Sequence, residues 1–145
     1  MKRPAGFTLT ELVTIIVVLG VLAAVAIPRM GTSEYRALEF HDKTVAALRY
    51  AQKTATSHRR LVCVAFTAST VTLTIARANP AAACDDPLIL PGGNSNSLQS
   101  GDATNAAFNP VPAAFNFLPD GSGADRSLSI AGQAINIVGA TGSVY

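Results

Sequence analysis

A few places in this 145-residue chain hold side chains whose type and spacing could do chemistry. The first is Glu11, an acid inside the apolar run from Phe7 to Ile27. A carboxylate in such surroundings costs on the order of a few kcal/mol unless it is paired, so it is a functional expectation by default. The bland reading is that Glu11 lies close enough to an interface to reach water. The second is the pair Cys63 and Cys84, an even count that favours a disulfide in an exported domain. Two separate buried thiols are the alternative. Cys84, however, lies between Asn79-Pro80 and Asp85-Asp86-Pro87, where a thiol has little to pack against. The third is the basic cluster His58-Arg59-Arg60, which complements a helix C-terminus and could also touch phosphate or DNA.

The remaining candidates lead to no reaction. His41 and Asp42 are adjacent, and adjacent helical residues do not face each other, so they are expected on a solvated surface. The two His have no metal-ligand spacing with the two Cys. Asp85-Asp86 would hold calcium only with Asp102 or loop carbonyls, and the EF-hand pattern is absent. Asp120 to Asp125 has the composition of a calcium loop and reads as a solvated turn. No phosphate-cradling Gly-rich helix start is present. The reading is of a protein that is not an enzyme and takes no metal or cofactor.

The elements that must position these residues follow from pattern. Phe7 to Ile27 is 21 residues, about 31 Å as a helix and matched to a bilayer's hydrocarbon core. Ala24-Val25-Ala26 has the form of a signal-peptide cleavage site, but the acid at Glu11 and the length of the run argue against one. Lys2 and Arg3 place the N-terminus in the cytoplasm and the rest outside. Of the eleven Lys and Arg, those two lie in the first six residues, so nine basic residues remain against nine acidic ones. The net charge of +2 therefore belongs to the N-terminal tip and gives no nucleic-acid footprint. Gly20 and Ala24 form a small-xxx-small pair that suits close helix packing, or is ordinary membrane-helix composition. Pro28 should kink or end the helix.

After Gly31 a second helical pattern begins, with Thr32 or Ser33 as its cap and Leu38, Val45, Leu48, Ala51 and Ala55 as its apolar stripe. Arg60–Phe66 and Thr70–Ile75 form a hairpin around Thr67-Ala68-Ser69. Arg77 to Pro112 has little periodicity and reads as an extended loop, functional or mobile, with one short strand near Leu88-Ile89-Leu90. Ala114–Leu118 is a strand, and Ser127–Ile130 and Ala134–Val138 pair around Ala131-Gly132-Gln133. Ser143 to Tyr145 completes an edge. The fold class is α+β: a long N-terminal helix, kinked near Pro28, packed on a C-terminal antiparallel sheet. The segments are 1–6, 7–29, 30–58 and 59–145, the last with the long loop 77–112.

The stretch Gly6-Phe7-Thr8-Leu9-Thr10-Glu11-Leu12, with its basic leader, apolar run and Pro28, resembles the type IV prepilin motif. The resemblance implies that a prepilin peptidase removes residues 1–6 by cutting between Gly6 and Phe7, then methylates the Phe7 amine. It also implies that Glu11, with Phe7 and Pro28, serves assembly, the carboxylate neutralising the freed amine of its own or a neighbouring subunit. Leu48-x-x-Ala51, the first strand, Phe117-Leu118-Pro119-Asp120-Gly121 and Thr141-Gly142-Ser143-Val144 resemble the GspH/FimT branch, near the minor pilins of the mannose-sensitive haemagglutinin type. The expected role is a minor pilin or pseudopilin of a type IV pilus or type II secretion pseudopilus. Its partners would be other pilins, the prepilin peptidase and an inner-membrane assembly platform. The expected location is the bacterial inner membrane, C-terminus in the periplasm, then a filament. A DNA-binding or adhesive minor pilin and a major pilin are the alternatives. The C-terminal Thr141–Tyr145 lacks the basic residues of DNA-uptake minor pilins, which lowers the first of these.

Overall fold

The computed structural model describes residues 6–26, 33–101 and 106–145. Pro28, the Met30–Thr32 break, Lys2, Arg3 and Asp102 lie outside the described residues, and with them the expected kink. The chain divides into two units, Met1–Thr32 and Ser33–Tyr145.

The first unit is helix α1, Leu9–Ala26, 18 residues and about 27 Å long. Its start has a local cause. Thr8 precedes the first helical residue, and Glu11 stands three residues on, the spacing of a capping box. From Thr8 to Leu22 the sequence is apolar except for Thr8, Thr10, Glu11, Thr14 and Gly20, and these apolar side chains are exposed on every side of the helix. An all-round apolar surface calls for cover on every face, not one.

The second unit begins with helix α2, Ser33–His58, with Glu34 in its first turn. Its buried side chains are Ala37, Phe40, Thr44, Ala47, Leu48, Ala51, Thr54 and Ala55. The expected stripe is thus right for Leu48, Ala51 and Ala55, with Val45 packed partly against the core. It is wrong for Leu38, which is 44% exposed, and it omits Phe40, which is 2% exposed. The buried face turns one position further round the helix than the Leu38 register, because Phe40 joins an aromatic chain. Phe40 meets Phe108 edge-on at 5.6 Å, Phe108 meets Phe66 at 5.2 Å, and Phe66 stacks on Phe115 at 5.8 Å.

Two antiparallel sheets carry the rest. The strands are β1 (Val62–Phe66), β2 (Thr70–Ile75), β3 (Asp86–Pro87), β4 (Ser97–Gln99), β5 (Phe115–Phe117), β6 (Arg126–Ile130), β7 (Gln133–Val138) and β8 (Ser143–Val144). The larger sheet runs β3-β2-β1-β5, with β4 also on β2; the smaller runs β6-β7-β8. Val62, Val64, Val71, Leu73, Phe115 and Phe117 turn inward from the first, Leu128, Ile130, Ile135, Ile137 and Val144 from the second. Both sheets pack on α2. Period-2 alternation sets the faces: Thr70, Thr72 and Thr74 are half-exposed between buried Val71 and Leu73.

The 77–112 segment differs most from the sequence reading. Among its described residues it is a strap that lies along β2. It holds two short strands where one was expected: Asp86–Pro87, which stops before Leu88, and Ser97–Gln99. Leu88 is buried and donates its N–H to the Leu73 carbonyl at 3.1 Å. Leu90 and Leu98 also pack on the core. A polar-looking loop is therefore pinned by three leucines and by a sheet edge that needs partners. The β6–β7 turn is also tighter than expected: Ala131 and Gly132 alone form it, both at positive φ, and Gln133 is already in the strand.

Candidate functional site

The start of α1 brings its polar side chains onto one another. Glu11 Oε2 accepts from the Thr8 N–H at 3.4 Å and from the Thr8 hydroxyl at 3.3 Å. In return the Glu11 N–H donates to Thr8 Oγ1 at 3.3 Å. The Thr8 and Thr10 hydroxyls lie 3.2 Å apart. Thr14 Oγ1 donates to the carbonyls of Thr10 at 3.0 Å and Glu11 at 2.9 Å. Each polar side chain on this apolar helix is thus engaged within the helix itself, which lowers the cost of carrying it among apolar neighbours. Glu11 Oε1 has no partner among the described residues. Sequence reasoning saw the acid and missed the box, although the signal, Thr8 three residues before Glu11, was present. Gly6 and Phe7 immediately precede this box, with Phe7 78% exposed.

The expected disulfide and the basic cluster belong to the second unit. Cys63 and Cys84 form a disulfide with Cα atoms 6.0 Å apart. His58, Arg59 and Arg60 end α2. Arg59 takes the left-handed conformation at φ 51, its N–H facing the Thr56 carbonyl at 3.4 Å, while the Arg60 N–H donates to the Ala55 carbonyl at 3.1 Å. That is a Schellman-type helix end with arginine where glycine is usual. The cluster's position is therefore set by the cap. Arg77, the next basic residue along the chain, is bound to Asp86 at 2.8 Å, which holds its guanidinium above its ordinary value.

His41 corrects the sequence reading. It is not on an open face: its side chain is 17% exposed, and its Nδ1 lies 3.1 Å from Asp42 Oδ1. Its Nε2 and the Thr44 hydroxyl are buried without a partner among the described residues.

Of the acids in the two calcium readings, Asp86, Asp120 and Asp125 have other partners. Asp86 holds Arg77. Asp120 accepts from the Ser122 hydroxyl at 2.6 Å and the Ser122 N–H at 2.9 Å, which keeps its carboxyl below the usual aspartate range. Asp125 accepts from the Gly139 N–H at 2.6 Å. Among the described residues no three His, Cys, Asp or Glu side chains are grouped to hold a metal.

Residues 1–27 match the family model of the prokaryotic N-terminal methylation motif. No curated protein and no solved structure matches the chain. The motif supports a type IV pilin-like protein, a class whose role is structural. It implies processing by a prepilin peptidase and assembly with other pilins, from a membrane-anchored state. No helix among the described residues is long and apolar enough to cross a membrane.

Proposed function

We propose that this chain is a minor pilin or pseudopilin that polymerises through α1 after cleavage between Gly6 and Phe7. The observation that carries this reading is the helix start. A capped, all-round apolar helix bears one carboxylate with a free oxygen, and it lies within the matched motif. Cleavage would create a methylated amine on Phe7, four residues before Glu11. Paired with Glu11 of its own or a neighbouring subunit, the amine would neutralise a charge that apolar surroundings cannot tolerate alone. Lateral packing of α1 helices would cover the exposed apolar faces, and the charge pair would set the axial register. Residues 7–29 would serve as the membrane and assembly segment, with Pro28 at its end, and residues 59–145 as the head displayed outside.

The test is incorporation in the native cell envelope. Glu11→Ala and Glu11→Leu are expected to insert in the membrane at normal levels but to be absent from sheared filaments or the secretion complex. Normal incorporation of both would overturn the mechanism. Replacing Gly6 with a bulky residue should leave a precursor heavier by the first six residues, read by intact-mass analysis.

A further inference from the structure

The strap along β2 is held at its two ends by very different means. Its far end is well tied. β4 pairs with Thr70–Thr72, the Leu73 N–H donates to the Asn96 carbonyl at 2.9 Å, and Asn96 Nδ2 donates to the Leu73 carbonyl at 3.0 Å. Its near end has less: beyond β3, buried Leu88 donates its N–H to the Leu73 carbonyl at 3.1 Å, but before Leu88 the ties are few. β3 is two residues long, and one of them, Pro87, has no N–H to give to the ladder. The Arg77–Asp86 ion pair is exposed, and such pairs hold weakly. The covalent tie is the disulfide. Cys63 lies in β1 directly across from Thr74 of β2, and Cys84 comes two residues before β3. The bond therefore sets the strap down at the one stretch of the β2 edge, Thr74 and Ile75, that only β3 covers.

We propose that Cys63–Cys84 is a redox latch on this strap. Closed, it seats β3 on β2. Opened, it releases Arg77 to Pro87 and leaves Thr74 and Ile75, still paired to β1, without a partner on their outer edge, with Arg77 free of Asp86 and open to proteolysis. The rest of the head stays folded. Opening is thiol–disulfide exchange with a dithiol. The Cys63–Cys84 bond breaks, each sulfur takes a proton, and the dithiol gives two electrons and closes to its own disulfide. Both cysteines are half-buried, within reach of such a reagent. A subunit that has not been oxidised would thus be marked for cleavage at a single place.

Arg77 makes a clean reporter, because no other Lys or Arg lies between Leu61 and Asp125. The full chain in mild detergent is treated with trypsin, oxidised or after reduction with dithiothreitol and alkylation. Cleavage after Arg77 should rise at least about tenfold on reduction. Hydrogen exchange should quicken in the peptides covering Thr70–Ala76 and Asp85–Leu90 and stay unchanged in Arg126–Val138. An unchanged cleavage rate would overturn the latch. So would faster exchange of equal size in every peptide, since the disulfide would then be a staple of the whole head. The Cys63→Ser/Cys84→Ser double variant should reproduce the reduced pattern; if it does not fold, the reduced and alkylated chain still decides the question.

Discussion

Single residues in this chain show where local physics was overridden. Arg59 occupies a left-handed position at φ 51 to end α2. A non-glycine residue pays roughly 1–2 kcal/mol for that conformation. Arg59→Gly is therefore expected to stabilise the head by up to about 1 kcal/mol, after the entropy cost of glycine, and to raise its melting temperature by several degrees. Thermal melts of the full chain in detergent read this directly. Asp120 gives a pH prediction. Its carboxyl, hydrogen-bonded first by the Ser122 hydroxyl and then by the Ser122 N–H, titrates below the ordinary 3.8. A carboxyl lowered in the folded state stabilises it above the unfolded value and loses that contribution as pH falls through the folded value. The acid limb of a stability profile, below about pH 4, should therefore be less steep in Asp120→Asn than in the parent. The carboxyl is exposed, so the difference will be small.

At the scale of elements, the start of α1 matters most. A capping box usually contributes about 1 kcal/mol to a helix start. Here it also positions the only acid of that helix. Thr8→Val removes the hydroxyl that accepts from the Glu11 N–H and donates to Glu11 Oε2. It should fray the first turn and lower incorporation partly, where Glu11→Leu abolishes it. Equal effects of the two substitutions would mean that capping, and not the charge, is what assembly needs. The other telling element is the strap. Its composition of Ala, Asn, Pro, Gly and Ser suggested an extended loop with one short strand near Leu88-Ile89-Leu90, but Leu88, Leu90 and Leu98 return it to the core. Spaced apolar residues without a period carry no helix or strand signal, so only their burial reveals them.

Over the whole head, α2 joins two sheets, and the seam closes on backbone. Gln52 Nε2 donates to the Thr141 carbonyl at 3.3 Å, and Arg49 Nε to the Val144 carbonyl at 3.0 Å. A Cβ at Gly142 would overlap the Gly121 carbonyl oxygen, at a φ of +66. Both the contact and the backbone conformation exclude a side chain. Gly142→Ala is expected to cost more than about 3 kcal/mol and to leave little folded head at 37 °C. Near-ultraviolet circular dichroism and protease resistance would measure it. A melting temperature within a degree or two of the parent would show that the two turns can separate freely.

What the sequence by itself determined is what repeats or stands at fixed spacing. The α+β class follows from a 3.6-residue period giving way to alternation at Val62. The β1–β2 and β6–β7 hairpins come from paired runs whose apolar residues alternate, and the helix-start motif from a contiguous string around Gly6 to Glu11. All of these are encoded by neighbours along the chain. Tertiary structure decided the rest. It chose Phe40 over Leu38 for the buried face, turned His41 inward, split the strands into two sheets and laid the strap on β2, whereas the Cys63–Cys84 bond was already expected from the even pair in the sequence. The reason is common to these four: each depends on which distant surface must be covered or which strand edge must be paired. Such a demand is set by residues dozens of positions away, and no local pattern records it.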